Sequence, residues 1–197
     1  MKNWQQRLCK LIKDLYPDDD SEVIEYGLYI LISKIIFIIT IVIIGIIFNE
    51  LAAILLFTLL YTPLRSFAGG IHAETSFRCY ILSLVMLICV ILAEKYIYLN
   101  SLNIYILLLI STFLIIFLSP VETYNKPLDN IEKMVYRKKT MYVLAFEIFV
   151  GLVSKILSFD AVLSNVMYAF VMVSFMLILG ILKNKIVKGK HGGRNEA

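Results

Sequence analysis

Charge is what this sequence has least of. Only 17% of its 197 residues are Asp, Glu, Lys or Arg, and 60% are apolar. A soluble domain carries about 25% charged residues. The deficit is concentrated in long blocks, Ile35–Phe48, Leu102–Leu118 and Val162–Leu182. That excludes an ordinary soluble domain with many amphipathic faces. Period-two alternation is missing from the same blocks, which excludes a membrane β-barrel. Cysteine is scarce: Cys9, Cys79 and Cys89 are an odd number at irregular spacing, giving neither a disulfide framework nor a zinc pattern. A cleavable signal peptide is not expected, because Asp18-Asp19-Asp20 falls where its apolar core and small residues belong. The first span is therefore expected to serve as its own insertion signal. No internal repeat is evident, and Glu147 is nearly alone as an intramembrane polar residue. Both features count against the main alternative function, a transporter or exporter of small molecules or peptides.

What is present reads as an all-α polytopic membrane protein. Roughly 20 helical residues cross a hydrocarbon layer of about 30 Å, and helices satisfy every backbone polar group within one segment. Six spans are expected, at about residues 26–48, 51–64, 79–93, 102–119, 141–157 and 162–182. The second is short and contains Pro63, so a tilted or incompletely inserted helix is expected there. Before them, residues 1–20 form an N-terminal amphipathic interfacial helix. Trp4, Leu8, Leu11, Ile12 and Leu15 follow helical spacing, with Lys2, Arg7, Lys10 and Lys13 elsewhere. Residues 21–183 form a single membrane-embedded domain, and residues 184–197 a basic cytoplasmic tail without order of its own. Cys89, deep in an apolar run, reads as a small core residue. Glu147 is expected to pair with Lys34 or line a polar pocket, since an unpaired carboxylate in lipid is costly.

Charge sets the orientation. With six spans, the termini share one side with the loops Arg65–Arg78 and Pro120–Lys139. That side holds 16 of the 19 Lys and Arg residues, whereas Lys95 and Lys155 lie on the other side and Lys34 inside a span. By the positive-inside rule this side is cytoplasmic. The net charge of +4 therefore reflects topology and lipid headgroups, not nucleic acid.

The least hydrophobic internal loop holds the reactive residues. Gly69-Gly70 permits a sharp turn after the second helix. His72 is the only histidine outside the tail, where His191 lies. Thr75 or Ser76 caps the third helix, which puts Cys79 in its first turns. A helix N-terminus favours a thiolate, and Arg65 and Arg78 add positive charge. His72 would take the thiol proton or hold the thiolate as an imidazolium pair. Residues seven apart on one helix are about 10 Å apart along its axis, too far to bond. His72 must therefore sit on the loop and fold back over the helix start. A zinc site is not expected, since one His and one Cys fall short of the three or four ligands required.

The run Arg65-Ser66-Phe67-Ala68-Gly69-Gly70-Ile71-His72-Ala73, followed by Cys79, resembles the signature of the accessory gene regulator protein B family. The later Ser119-Pro120-Val121-Glu122 and Asn125-Lys126-Pro127-Leu128 are similar to that family's second loop, and the likeness covers nearly the whole chain. The resemblance implies a membrane-embedded cysteine endopeptidase of peptide quorum sensing in a bacterial cell membrane. It implies that Cys79 is the nucleophile and His72 the base. Arg65, Gly69 and Gly70 match the motif, Arg78 adds charge, and Glu74 and Glu122 are the candidates to orient His72. The implied partners are the lipid bilayer and a short amphipathic membrane-associated propeptide, with a homodimer also implied. No cofactor or metal is implied. The acyl-enzyme thioester would pass to a side chain of the propeptide, generating a cyclic autoinducing peptide.

Overall fold

The computed structural model describes residues 21–71, 75–122 and 128–192. The expected interfacial helix over residues 1–20 lies outside them. The described residues form six α-helices: α1 Ser21–Phe48, α2 Leu51–Ala68, α3 Ser76–Tyr96, α4 Ser101–Leu118, α5 Asn130–Ile156 and α6 Asp160–Gly192. The chain divides into two compact units, Met1–Ile47 and Phe48–Ala197. Five helical segments are long and apolar enough to cross a membrane: Ile30–Phe48, Leu51–Ala68, Phe77–Tyr96, Ser101–Leu118 and Asp160–Val187. The protein is an all-α polytopic membrane protein. The sixth expected span belongs to α5, which carries Lys139, Glu147 and Lys155 among its apolar residues.

In the first unit, α1 exposes Leu31, Ile35, Ile38, Ile39, Ile46 and Ile47. In lipid such a surface needs no protein partner, because acyl chains are as apolar as the side chains. In the second unit, α6 is the centre, and α2, α4 and α5 all pack on it, with α2 also against α5. Its residues Val166, Met167, Ala169, Phe170, Val173, Met176 and Leu177 are almost wholly buried. A helix apolar all round is built for the middle of a bundle. On α2, Ile54, Phe57, Leu60, Leu64 and Ala68 form one buried stripe at helical spacing. On α5 the buried stripe is Thr140, Leu144, Glu147, Gly151 and Ser154, mostly small or polar. Small residues let helix backbones approach closely in a membrane, and Gly151 meets Leu163 and Val166 of α6.

Several boundaries differ from those expected. Arg65–Ala68 completes α2, so this helix has 18 residues and is about 27 Å long, near a full span. Asn130–Lys139 is helical and not loop, because Glu132 accepts from the Asp129 backbone N–H at 3.2 Å and caps the start of α5. α6 continues through Lys183 to Gly192, so most of the expected disordered tail is helix. Lysine is a good helix former, and its charge suits a helix C-terminus. Cys89 is exposed on α3, not a core residue. Its face is turned away from the buried Met86, Leu87, Val90 and Ile91. Glu147 is 1% exposed, and neither carboxylate oxygen has a hydrogen-bond partner among the described residues.

Candidate active site

The site is built where α2 ends and α3 begins. Gly69 and Gly70 leave α2 with φ of 79° and 118°, a region that side-chain-bearing residues rarely enter. Both are also pressed against other backbone. A Cβ on Gly69 would collide with the Val121 carbonyl, and one on Gly70 would lie 2.8 Å from the Met176 carbonyl oxygen. Those approaches carry hydrogen bonds. Val121 N donates to the Ala68 carbonyl at 2.9 Å, Gly70 N to the Val121 carbonyl at 3.2 Å, and Ile71 N to the Met176 carbonyl at 3.2 Å. The segment Ala68–Ile71 is thus stitched to the α4–α5 connection on one side and to the middle of α6 on the other.

Arg65 closes this arrangement from within. Its guanidinium donates to the carbonyls of both Gly69 and Ile71. A planar fork with several donors suits two carbonyls at once, which a lysine ammonium on a flexible stem does not reproduce. Gly180 on α6 makes the crossing possible. A Cβ there would sit 2.7 Å from the Gly70 carbonyl carbon and 2.8 Å from the Ile71 nitrogen. All of these contacts are backbone, so no side chain can swing aside.

Thr75 is the N-cap of α3 and accepts from Arg78 N at 3.3 Å. Cys79 N donates to the Thr75 carbonyl at 3.0 Å, so Cys79 stands at the end of the first helical turn. Cys79 and Arg78 are both exposed. His72 and Glu74 lie outside the described residues. Their flanks, Ile71 and Thr75, are both held in place.

Glu122 is engaged in securing the second loop. Its carboxylate pairs with Lys133 at 3.1 Å and accepts from Leu128 N at 3.1 Å. Its carbonyl accepts from Asn184 Nδ2 on the α6 extension at 2.7 Å. Lys139 of α5 lies over the Phe67 ring of α2, 5.3 Å from its centre, and Phe67 meets Tyr136. The structure therefore brings Arg65, Gly69 and Gly70 together, with Glu122 next to their Val121 anchor.

Sequence reasoning missed Val121, Met176, Gly180 and Asn184 as supports of the loop. Only Gly180 left a trace, because an isolated glycine inside an apolar helix marks a close approach. Nothing in the sequence says what approaches it. Tyr61 lies one turn before Arg65, and its hydroxyl is 3.7 Å from the Met86 sulfur of α3.

This geometry defines a class: a helical polytopic membrane protein presenting an exposed thiol at the start of one helix, shortly after a glycine turn that is clamped by two distant segments. A sequence profile described as Accessory gene regulator B matches residues 2–183, and the chain belongs to that family. It is similar to an AgrB-like protein of Clostridium perfringens (strain SM101 / Type A), 31% identical over 169 residues, covering 79% of each chain. A second AgrB-like protein, from Clostridium perfringens (strain 13 / Type A), is 30% identical over 154 residues, covering 74% of this chain and 72% of the other. No solved structure matches the chain. Family membership places the protein in the peptide processing of agr quorum sensing.

Proposed function

We propose that this protein is a cysteine endopeptidase that cleaves a short amphipathic propeptide at the membrane and keeps the acyl group as a thioester. The observation that carries the reading is the exposed Cys79 on the first turn of α3, four residues beyond Thr75 and eight beyond Ile71, the end of the clamped segment. In this reading His72, directly after the Ile71 anchor, takes the thiol proton. The Cys79 sulfur attacks the scissile carbonyl carbon and forms the S–C bond. The tetrahedral adduct collapses, the C–N bond breaks, and the imidazolium returns its proton to the leaving amine. A side-chain Cys or Ser of the propeptide then attacks the thioester, closing a ring and freeing Cys79. Thioester exchange with a second thiol is close to energy-neutral, so the ring keeps the activation. Water must be kept from the thioester for this to succeed.

The two termini and the Cys79 loop face the cytoplasm in this reading, supported by the asymmetry of 16 in 19 basic residues. The propeptide arrives along the inner leaflet as an amphipathic helix.

The test is cleavage of the cognate propeptide, read from the neighbouring open reading frame, followed on a gel at matched expression. Cys79→Ala, Cys79→Ser and His72→Ala should each abolish cleavage. Undiminished cleavage by any of them removes the protease reading. In intact cells, a membrane-permeant thiol reagent should label Cys79 and an impermeant one should not. Labelling by both would reverse the topology.

A further inference from the structure

The bundle end away from Cys79 carries polar groups that the protease reading leaves unused. After Arg78, α3 is free of charge until Glu94 and Lys95, and α6 buries the amide of Asn165 at 0% exposure. A carboxamide has two donors and an acceptor oxygen, and in a buried one they are normally satisfied. Asn165 Nδ2 donates to Glu94 Oε1 at 3.2 Å and to the Ala161 carbonyl at 2.9 Å. Its Oδ1 is buried and has no partner among the described residues. The same bond leaves Glu94 Oε2 without a hydrogen-bond partner among them.

Both residues that Asn165 Nδ2 bonds, Glu94 and Ala161, line the cavity of about 480 Å³ formed by the end of α3, the α3–α4 connection, the α5–α6 turn and the start of α6. That volume suits a small organic group and far exceeds what a bare ion fills. Its charged lining residues are Glu94, Lys95, Lys155 and Asp160. Lys155 and Asp160 neutralise each other at 2.8 Å. Lys95 is exposed and follows Glu94 directly, and sequence neighbours on a helix do not face each other. What remains is one carboxylate, fixed by a wholly buried amide whose own oxygen needs a donor. A donor-only cation satisfies both oxygens, and a primary ammonium has three N–H donors and no acceptor. Its bonds to a carboxylate belong to the strong, charge-assisted class. The Lys95 charge suits the phosphate or carboxylate that accompanies such an ammonium in a headgroup or an amino acid. Among the described residues no three His, Cys, Asp or Glu side chains are grouped to hold a metal ion.

We propose that this cavity binds a primary ammonium group, which donates to the Glu94 carboxylate and to Asn165 Oδ1. The group belongs to a phospholipid headgroup of the ethanolamine type or to a soluble zwitterionic amine. A headgroup fits the position, since the cavity lies where the spans Phe77–Tyr96, Ser101–Leu118 and Asp160–Val187 begin or end. The site is separate from Cys79, which lies fifteen residues back along α3, about 22 Å at the rise of a helix. The inference does not depend on the protease reading, and its test needs no propeptide.

The experiment titrates the full-length protein in dodecyl maltoside and reads bound adducts by native mass spectrometry. The probes are dioleoylphosphatidylethanolamine, dioleoylphosphatidylcholine and their soluble headgroups, phosphoethanolamine and phosphocholine. The choline members keep the positive charge and the phosphate but have no N–H to donate. An ethanolamine probe should bind about tenfold more tightly than its choline counterpart, the size of a lost hydrogen bond to a charged group. Preference for the ethanolamine lipid, with or without its soluble headgroup, makes a headgroup the ligand. Preference seen with phosphoethanolamine alone makes it a soluble amine. Equal binding of ethanolamine and choline probes, or binding of none, overturns the inference. Glu94→Gln keeps the shape of the side chain and removes its charge. It should weaken ethanolamine binding about tenfold and leave choline binding unchanged, and undiminished ethanolamine binding by a folded Glu94→Gln protein overturns the inference as well. The wild-type comparison needs no variant, so it decides the matter even where Glu94→Gln fails to fold.

Discussion

The two ends of the α2–α6 bundle are secured by different means. At one end, connections are short and local. Asn49 turns the chain between α1 and α2 in a left-handed conformation, which asparagine tolerates, and Ser158 does the same between α5 and α6. Lys155 pairs with Asp160 at 2.8 Å only five residues away. A cavity of about 480 Å³, lined in part by Glu94, Lys95, Asn100, Lys155 and Tyr168, remains open there. At the other end, the turn from α2 to α3 bonds to Val121 and to Met176, about 50 and 105 residues away. The first end closes its turns with neighbouring residues, and the second positions a loop by backbone contact with distant segments. Local turns tolerate side-chain loss, whereas a backbone crossing fixed from three sides does not.

The largest effect that would sharpen this contrast is expected from Gly180→Ala. The new methyl would meet the backbone of Gly70 and Ile71 at under 3 Å, so the loop or α6 must move. Overpacking of this kind costs roughly 1–3 kcal/mol. A displacement of about 1 Å at a reacting centre costs about 100-fold in rate. Propeptide cleavage should fall by that order, with a smaller fall in thermal midpoint. Next comes Arg65→Lys. One ammonium cannot span the Gly69 and Ile71 carbonyls as the guanidinium does, and about a tenfold loss of kcat is expected, the factor for roughly 1.4 kcal/mol. Asn184→Ala removes a single hydrogen bond to the Glu122 carbonyl. A net loss of about 1 kcal/mol is expected, read as a lower thermal midpoint in detergent with cleavage reduced a few-fold. The smallest effect lies at the opposite end. Lys155→Ala breaks an exposed, local ion pair, and neither cleavage nor thermal midpoint should change measurably. A Lys155→Ala variant as impaired as Gly180→Ala would break the contrast between the two ends.

Much of the fold was legible because hydropathy is a property of composition within a window. The apolar blocks matched the helices, and of the two caps the sequence offered for α3, Thr75 and Ser76, the structure uses Thr75. Boundaries were harder to read. Arg65 and the stretch Asn130–Lys139 look like loop by polarity, yet both are helical. Asp129 and Glu132 were in fact a capping signal three residues apart, visible in the sequence and outweighed by the surrounding charge. Cys89 was misplaced because an apolar run hides which face of a helix is covered. In a membrane the exposed face is as apolar as the buried one.

The sequence by itself determined that this chain lives in a membrane as a set of helices, because 60% apolar composition in long blocks leaves few other solutions. It also placed a histidine and a cysteine around a glycine turn, since that motif is contiguous. Only the tertiary structure decided what holds that turn. The Val121 and Met176 carbonyls and the gap left by Gly180 come from the α4–α5 connection and from α6. The physical reason is that backbone carbonyls are identical at every position. A sequence cannot mark which of them a distant amide will find, and only packing selects it.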